Sequence, residues 1–340
     1  TTRFTASEAA NGMQFLARAG LETNEAMTAL PGTLNLASAG FVSVGTAADF
    51  TVNVIKQFGL AVAESERIAD TFVYTANSSN TTVAQLGTTL QYAGSVAGVV
   101  GLEFNEVAAA AGLLANAGIK GSRAGTQLRG IMATLLDPTK KARDTIEGLG
   151  LSVEDLRPGF NEVTGQTTTL SDIFRKFADA GLGAEEAVKI FRKRQIAGAL
   201  VLTQYSSKTA DAAGSLKGFT KAIDENGGAS SKAAKIVEDT LGGAFRRLKS
   251  AVEAVNLSLG RGEGGLGASL REFVELSTGV LRSLSGMEEG LGKFEGTAVV
   301  TAEVIKVIGR AIKYLLYWKI AVWAYAGARA LLALGLAAKS

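Results

Sequence analysis

Apolar positions recur at spacings of three and four along nearly the whole chain, and the two-residue alternation of a half-buried strand is rare. That periodicity predicts an all-α protein: a bundle of short helices with an internal repeat, then longer helices and a C-terminal apolar, membrane-like helix. The short helices are well punctuated. Thr5-x-x-Glu8 and Thr82-x-x-Gln85 have the form of capping boxes, and Thr46-x-x-Asp49 is a looser version. Asp137-Pro138 sets a cap residue before a proline suited to the first helical position. Gly20, Gly40, Gly101 and Gly118 fall where helices should stop. Residues 152–170 are the least helical, and Pro158-Gly159 with the following threonines predicts a turn or short hairpin. Helices resume over 170–205.

The expected organisation is a helical core domain over 1–225, a long helix within 226–259, a glycine-rich linker at 260–267 and a helical C-terminal segment over 268–340. Asn226–Ser231 has the composition of a hinge-like loop. Within the core domain, residues 82–94 run parallel to residues 5–17. Gly20-Leu21-Glu22-Thr23-Asn24-Glu25 then matches Gly101-Leu102-Glu103-Phe104-Asn105-Glu106, and Leu36–Gly40 matches Leu114–Gly118. A last echo joins Phe58–Val62 to Leu149–Val153. Glycine- and alanine-rich helices resemble one another by composition alone, but matches in the same order favour a duplication of units at about 5–64 and 82–154, offset by small loop insertions.

Residues 297–338 could form one helix of about 40 residues, near 60 Å long at about 1.5 Å per residue. Tyr314, Tyr317, Trp318, Trp323 and Tyr325 cluster in its middle, and Ile320–Ala338 carries a single charge, Arg329. The run suits a bilayer core of roughly 20 residues, and the aromatics resemble an interfacial belt. A helix buried in a protein bundle explains the same pattern, and the two readings stand level.

Composition narrows the chemistry. The chain has 340 residues, 41 glycines and 3 prolines, with neither cysteine nor histidine. Disulfides, thiolate chemistry and the usual zinc sites are thereby excluded in this stretch, and the commonest general base is missing. No catalytic constellation or cofactor is expected. The chain opens Thr1-Thr2-Arg3, without an initiator methionine or a signal peptide, as expected of a piece of something longer. Net charge is +3, but from Leu291 onward there are seven basic residues against two acidic ones, so the preceding residues are slightly acidic. A basic, apolar tail on a near-neutral body points to membrane or polyanion contact.

The stretch from Glu66 to Thr139, and above all Gly112-Leu113-Leu114-Ala115-Asn116-Ala117-Gly118-Ile119-Lys120-Gly121-Ser122-Arg123-Ala124-Gly125-Thr126, resembles the conserved core of phage tail tape measure proteins. The Ala76-Asn77-Ser78-Ser79-Asn80-Thr81 turn, Leu30-Pro31-Gly32, Leu149-Gly150-Leu151 and Phe191-Arg192-Lys193-Arg194-Gln195 fit the same pattern. The resemblance covers about the first 200 residues, best over 66–202. It implies a non-enzymatic virion protein that fills the tail tube lumen in several copies. Such a protein sets tail length and is expelled ahead of the genome. The implied partners are itself as a trimer or hexamer, tail tube and tail tip or baseplate proteins, tail assembly chaperones, the phage DNA end and the host membrane. The alternative, from another class, is a membrane-active, pore-forming helical protein.

Two local features suggest anion contacts. Lys120, Ser122 and Arg123 lie in a glycine-rich stretch before a helix; the Walker spacing is absent, yet a helix N-terminus can hold an anion. Arg192, Lys193 and Arg194 form a basic cluster, as do Lys140-Lys141-x-Arg143 and Arg246-Arg247-x-Lys249. Such clusters can contact DNA phosphates, but acids are interspersed among them, and solvated helix faces are the commoner explanation. Trp318, Trp323, Tyr325 and Arg329 are the corresponding membrane or lumen residues in the tail segment.

The tail segment makes a first prediction. A peptide covering 297–340 should float with lipid vesicles at physiological salt, and Arg329→Leu should strengthen binding, because the arginine costs roughly 2.5–3.5 kcal/mol near the bilayer centre. A wild-type peptide that stays in the aqueous fraction assigns the segment to a protein bundle instead.

Overall fold

The computed structural model of the protein describes residues 4, 6–161, 166–207, 214–240 and 250–251. The expected linker at 260–267 and the apolar segment with Trp318, Trp323, Tyr325 and Arg329 lie outside the described residues, as does Thr5 of the first expected cap. The chain divides into two units, one of Ala6–Glu238 and one of Thr1–Thr5 with Asp239–Ser340. Among the described residues no helix is long and apolar enough to cross a membrane.

Seven helices open the unit: α1 (Ala6–Arg18), α2 (Thr23–Ala39), α3 (Val44–Phe58), α4 (Ser65–Ser78), α5 (Val83–Val99), α6 (Phe104–Asn116) and α7 (Ser122–Leu136). After α8 (Lys140–Gly148) comes an antiparallel hairpin of β1 (Gly159–Asn161) and β2 (Gln166–Thr168), with Phe160 opposite Thr167. The rest is α9 (Leu170–Asp179), α10 (Ala184–Ile190), α11 (Ile196–Ser206), α12 (Leu216–Glu225) and α13 (Ala229–Glu238). The fold is mostly helical, as the periodicity predicts, and the hairpin falls where the helical pattern fails.

Local signals set most helix ends. The Thr82 hydroxyl accepts from Gln85 N–H at 3.2 Å while Thr82 N–H donates to Gln85 Oε1 at 3.3 Å, a reciprocal cap. Elsewhere the cap sits a few residues from its expected place. Ser43 caps α3, accepting from Thr46 N–H at 3.0 Å, and Thr139 caps α8. Asp137 instead closes α7, donating its N–H to the Ala133 carbonyl at 3.2 Å. Gly20, Gly101 and Gly118 take the left-handed backbone expected of helix-ending glycines, but Gly40 does not. A Cβ at Gly40 would lie 2.7 Å from the Leu36 carbonyl oxygen and 2.9 Å from Val83. Gly40 therefore serves close approach, and the left-handed position falls one residue later on Phe41, at φ 53° and largely exposed.

Helices α1–α3 and α5–α7 follow one another in the same order, with lengths of 13, 17 and 15 residues against 17, 13 and 15. One turn gained in α5 is lost again in α6, which accounts for the drift among the first three matches; the fourth joins the end of α3 to the end of α8 and falls outside this pairing. The two sets meet along α3 and α5. Phe50 and Phe58 of α3, Phe72 of α4 and Phe104 of α6 form a continuous aromatic row with centroid separations of 5.5–5.9 Å. A second core of Leu16, Leu21, Ala26, Ala29, Ala48 and Val52 fills the first set.

Buried polar side chains fasten the later helices. Asn105 accepts from the Thr71 hydroxyl at 2.8 Å and donates to Asp224 of α12 at 2.5 Å. Asp70 accepts from the backbone of Gly228 (2.7 Å) and Ser230 (2.8 Å), so it caps α13 from α4 and turns the expected hinge into a fixed corner. Helix α13 closes at Glu238, before a turn at Asp239; of the expected helix within 226–259, the stretches 241–249 and 252–259 lie outside the described residues.

Glu106 accepts from Ser171 N–H at 3.0 Å, in the first turn of α9. Burial, reinforced by Asp172 and Glu103 and opposed by the Ser171 N–H and the Thr169 hydroxyl, pushes its carboxyl up to about 7. Between 4.5 and about 7 the folded chain thus holds a proton that the unfolded chain has released. The contribution to stability is full below the lower value and is lost as pH rises through the upper one, by about 3 kcal/mol in all. Glu106→Gln keeps an acceptor for Ser171 and should melt higher than wild type at pH 8, with a flatter profile across that window. Parallel melting profiles for the two chains would show that Glu106 does not titrate in this way.

Candidate anion-binding groove

Helix α10 ends on Phe191, whose ring is buried edge-on against Phe177 at 5.9 Å. Gln195, four residues on, is buried too. Fixed at both ends, the turn between them puts Arg192, Lys193 and Arg194 on the surface. Gln195 Oε1 accepts from Arg192 N–H at 3.2 Å, which closes the turn, and from the Thr134 hydroxyl at 2.9 Å, which holds the turn against α7. The side chain lies over Gly130. A Cβ there would come within 2.5 Å of Gln195 Nε2.

Two adjoining depressions run along α7, each of about 460 Å³. Arg129, Gly130, Asp137, Arg192 and Gln195 help line the first, and Ser122, Arg123, Gln127 and Ala197 the second. Thr126, Lys193 and Arg194 line both, so the two form one groove. Five cations border it against the single carboxylate of Asp137. None of the five cationic side chains has an ion-pair partner among the described residues, whereas Asp137 lies 3.5 Å from Arg143.

Of the anion contacts expected from sequence, Ser122 and Arg123 thus meet Arg192, Lys193 and Arg194. Lys120 does not join them; it donates to Asn80 Oδ1 at 2.8 Å and ties the turn after α4 to the turn before α7. Arg129 is the residue that sequence reading missed. It stands alone rather than in a cluster, and it is the fold of the Arg192–Arg194 turn against α7 that makes it a neighbour of the others. Lys140, Lys141 and Arg143 sit exposed on α8, and Arg143 donates to the Pro138 carbonyl at 3.0 Å. Arg246, Arg247 and Lys249 lie outside the described residues. Among the described residues no group of acidic side chains could hold a metal ion.

The groove's last basic turn coincides with the end of a family match: residues 1–193 match the phage-related minor tail protein family. The chain belongs to that family. Its relatives include the tape measure protein of Pneumococcus phage Dp-1, 30% identical over 329 residues, which span 92% of this chain and 28% of the relative. The probable tape measure protein of Escherichia phage P2 is 29% identical over 319 residues, spanning 91% of this chain and 38% of the relative. The chain therefore spans well under half of either of these tape measure proteins. No solved structure matches it. The match covers α1–α10 and the aromatic row, so those belong to the minor tail family's shared region.

Gln195 is the joint of the groove in this minor tail protein. Gln195→Leu keeps the volume and removes the acceptor shared by Thr134 and Arg192. It should lower stability by about 1–3 kcal/mol and speed amide exchange at Arg192. An unchanged melting curve with unchanged exchange would show that the turn is held by Phe191 alone.

Proposed function

We propose that Ala6–Glu238 is a folded module of a tape measure protein, and that the length-setting part of that protein lies outside it. One observation carries this reading: the longest helices of the module have 17 residues, about 25 Å each at about 1.5 Å per residue, and they fold back on one another. A ruler must convert residue count into distance at a fixed rise, and a module of reversing helices does not. The relatives are much longer than the matched stretch, which leaves ample chain for a ruler.

In this reading the module sits in the virion tail as a structural component, not an enzyme. It associates with further copies of itself as a trimer or hexamer, and with tail tube and tail tip or baseplate proteins, after assembly assisted by tail chaperones. It leaves the tail ahead of the genome and reaches the host envelope. Support comes from the relatives' tape measure names and from the resemblance of the 66–202 stretch.

Tail length tests it. A helix-forming insertion of about 40 residues at Gly181, in the exposed turn between α9 and α10, should leave tail length in electron micrographs unchanged. If the tails lengthen by about 60 Å, as an extended helix would require at about 1.5 Å per residue, the module is part of the ruler and the reading is wrong.

A further inference from the structure

We propose that the groove between α7 and the Arg192–Arg194 turn binds the phosphate backbone of double-stranded DNA without regard to base sequence. The proposal stands on the groove itself and does not depend on how tail length is set.

Charge comes first. Arg123, Arg129, Arg192, Lys193 and Arg194 border the groove with no ion-pair partner among the described residues. Cations left unpaired along one line are what a polyanion neutralises, with release of its counterions. The groove follows α7 from Ser122 to Asp137, about 22 Å at about 1.5 Å per residue. Duplex DNA presents about 13 charges over that length, at one per about 1.7 Å.

Shape and rigidity agree with charge. The lining includes the small residues Gly130, Ala133 and Ala197, with Thr126 and Thr134. Small side chains leave phosphate room to approach. Phe191 and Gln195 hold the three basic residues of the turn, so little backbone ordering is left to oppose binding.

One further feature calls for acceptor atoms. The first turns of α7 and α11 both contribute to the second depression, through Ser122 and Ala197, and neither helix has a side-chain cap. Gly121 has no side chain to offer, and the Gln195 amide is engaged with Thr134 and Arg192. Both helix ends therefore present uncapped N–H groups and the positive pole of the helix.

The lining argues against the other polyanion, an acidic protein segment. Protein partners are anchored by large apolar or aromatic side chains seated in pockets. The only large apolar residue here, Ile190, is buried in the fold. No aromatic residue lines the groove, so it cannot stack unpaired bases either, which selects the duplex backbone over single strands.

The experiment is fluorescence anisotropy on the whole 340-residue chain, with labelled 20-base-pair duplexes of two unrelated sequences across a salt series. Both duplexes should bind alike. The triple variant Arg192→Gln, Lys193→Gln, Arg194→Gln should bind at least about tenfold more weakly at low salt and lower the salt slope by about three. The pair Arg123→Gln, Arg129→Gln should act in the same direction. Lys140→Gln with Lys141→Gln, which removes two exposed cations from α8, is the control and should leave affinity within about twofold. All substituted side chains are exposed, and melting curves verify that each variant folds. The proposal is overturned if the control weakens binding as much as the groove variants, if the groove variants bind like wild type, or if one duplex is strongly preferred. A deca-glutamate peptide that binds more tightly than the duplex would reassign the groove to a protein partner.

Discussion

The closeness of α5 to its neighbours on both sides is the constraint on which the rest of the module depends. On one side Gly87, Gly94 and Gly98 face α3. A Cβ at Gly87 would lie 2.3 Å from the Phe50 ring, one at Gly94 2.1 Å from Gln57 Oε1, and one at Gly98 1.7 Å from the Gln57 carbonyl oxygen. At Gly98, where the neighbour is backbone, no residue but glycine permits that approach. On the other side Gly125 of α7 meets the Thr89 carbonyl, where a Cβ would stand 2.4 Å away. With α5 held this tightly, Phe50 can stack on Phe72 and start the row that runs through Phe104 to Phe58. The position of α7 follows, and with it the wall of the basic groove. The abundance of glycine in the composition is, at these positions, a packing device rather than a sign of loose chain.

Features that depend on neighbours in sequence were legible; those that depend on neighbours in space were not. The Thr82–Gln85 cap and the hairpin after Pro158 are decided within a few residues, and the pattern of the chain gave both their place and their form. Asp137 shows the limit. Its side chain and the following proline make a plausible helix start, yet Thr139 competes for the same role and lies nearer the first turn of α8. At Gly40 the local rule for helix ends was overridden by Val83, a residue of another helix. The groove was half visible: both basic stretches could be named, but nothing in the sequence says that Gln195 folds one onto the other, or that Lys120 is occupied by Asn80.

The paired motifs Asn24-Glu25 and Asn105-Glu106 make the same point with a single dipeptide. On α2 both residues are exposed, and Glu25 merely closes a local cap on Glu22 N–H at 2.8 Å. On α6 both are buried; Asn105 holds α12 and Glu106 holds α9. Both dipeptides lie in the first turn of a helix, so the difference lies in what surrounds α6. We read α9–α12 as a layer that turned a capping pair into two tertiary fasteners, and this supports duplication of the 5–64 and 82–154 units as our proposal for how the module arose.

Gly130, Thr134 and Gln195 also bear on how such a protein can change over generations. The glycine leaves room for the glutamine, the threonine gives it a donor, and the glutamine closes the basic turn. A larger residue at 130 displaces the glutamine whatever stands at 134, and a change at 195 removes the reason for glycine at 130. Residues in one hydrogen-bonded cluster do not vary independently. Substitutions at 130, 134 and 195 should therefore be energetically coupled, whereas Arg192, Lys193 and Arg194, whose side chains are exposed, can be exchanged without disturbing that cluster.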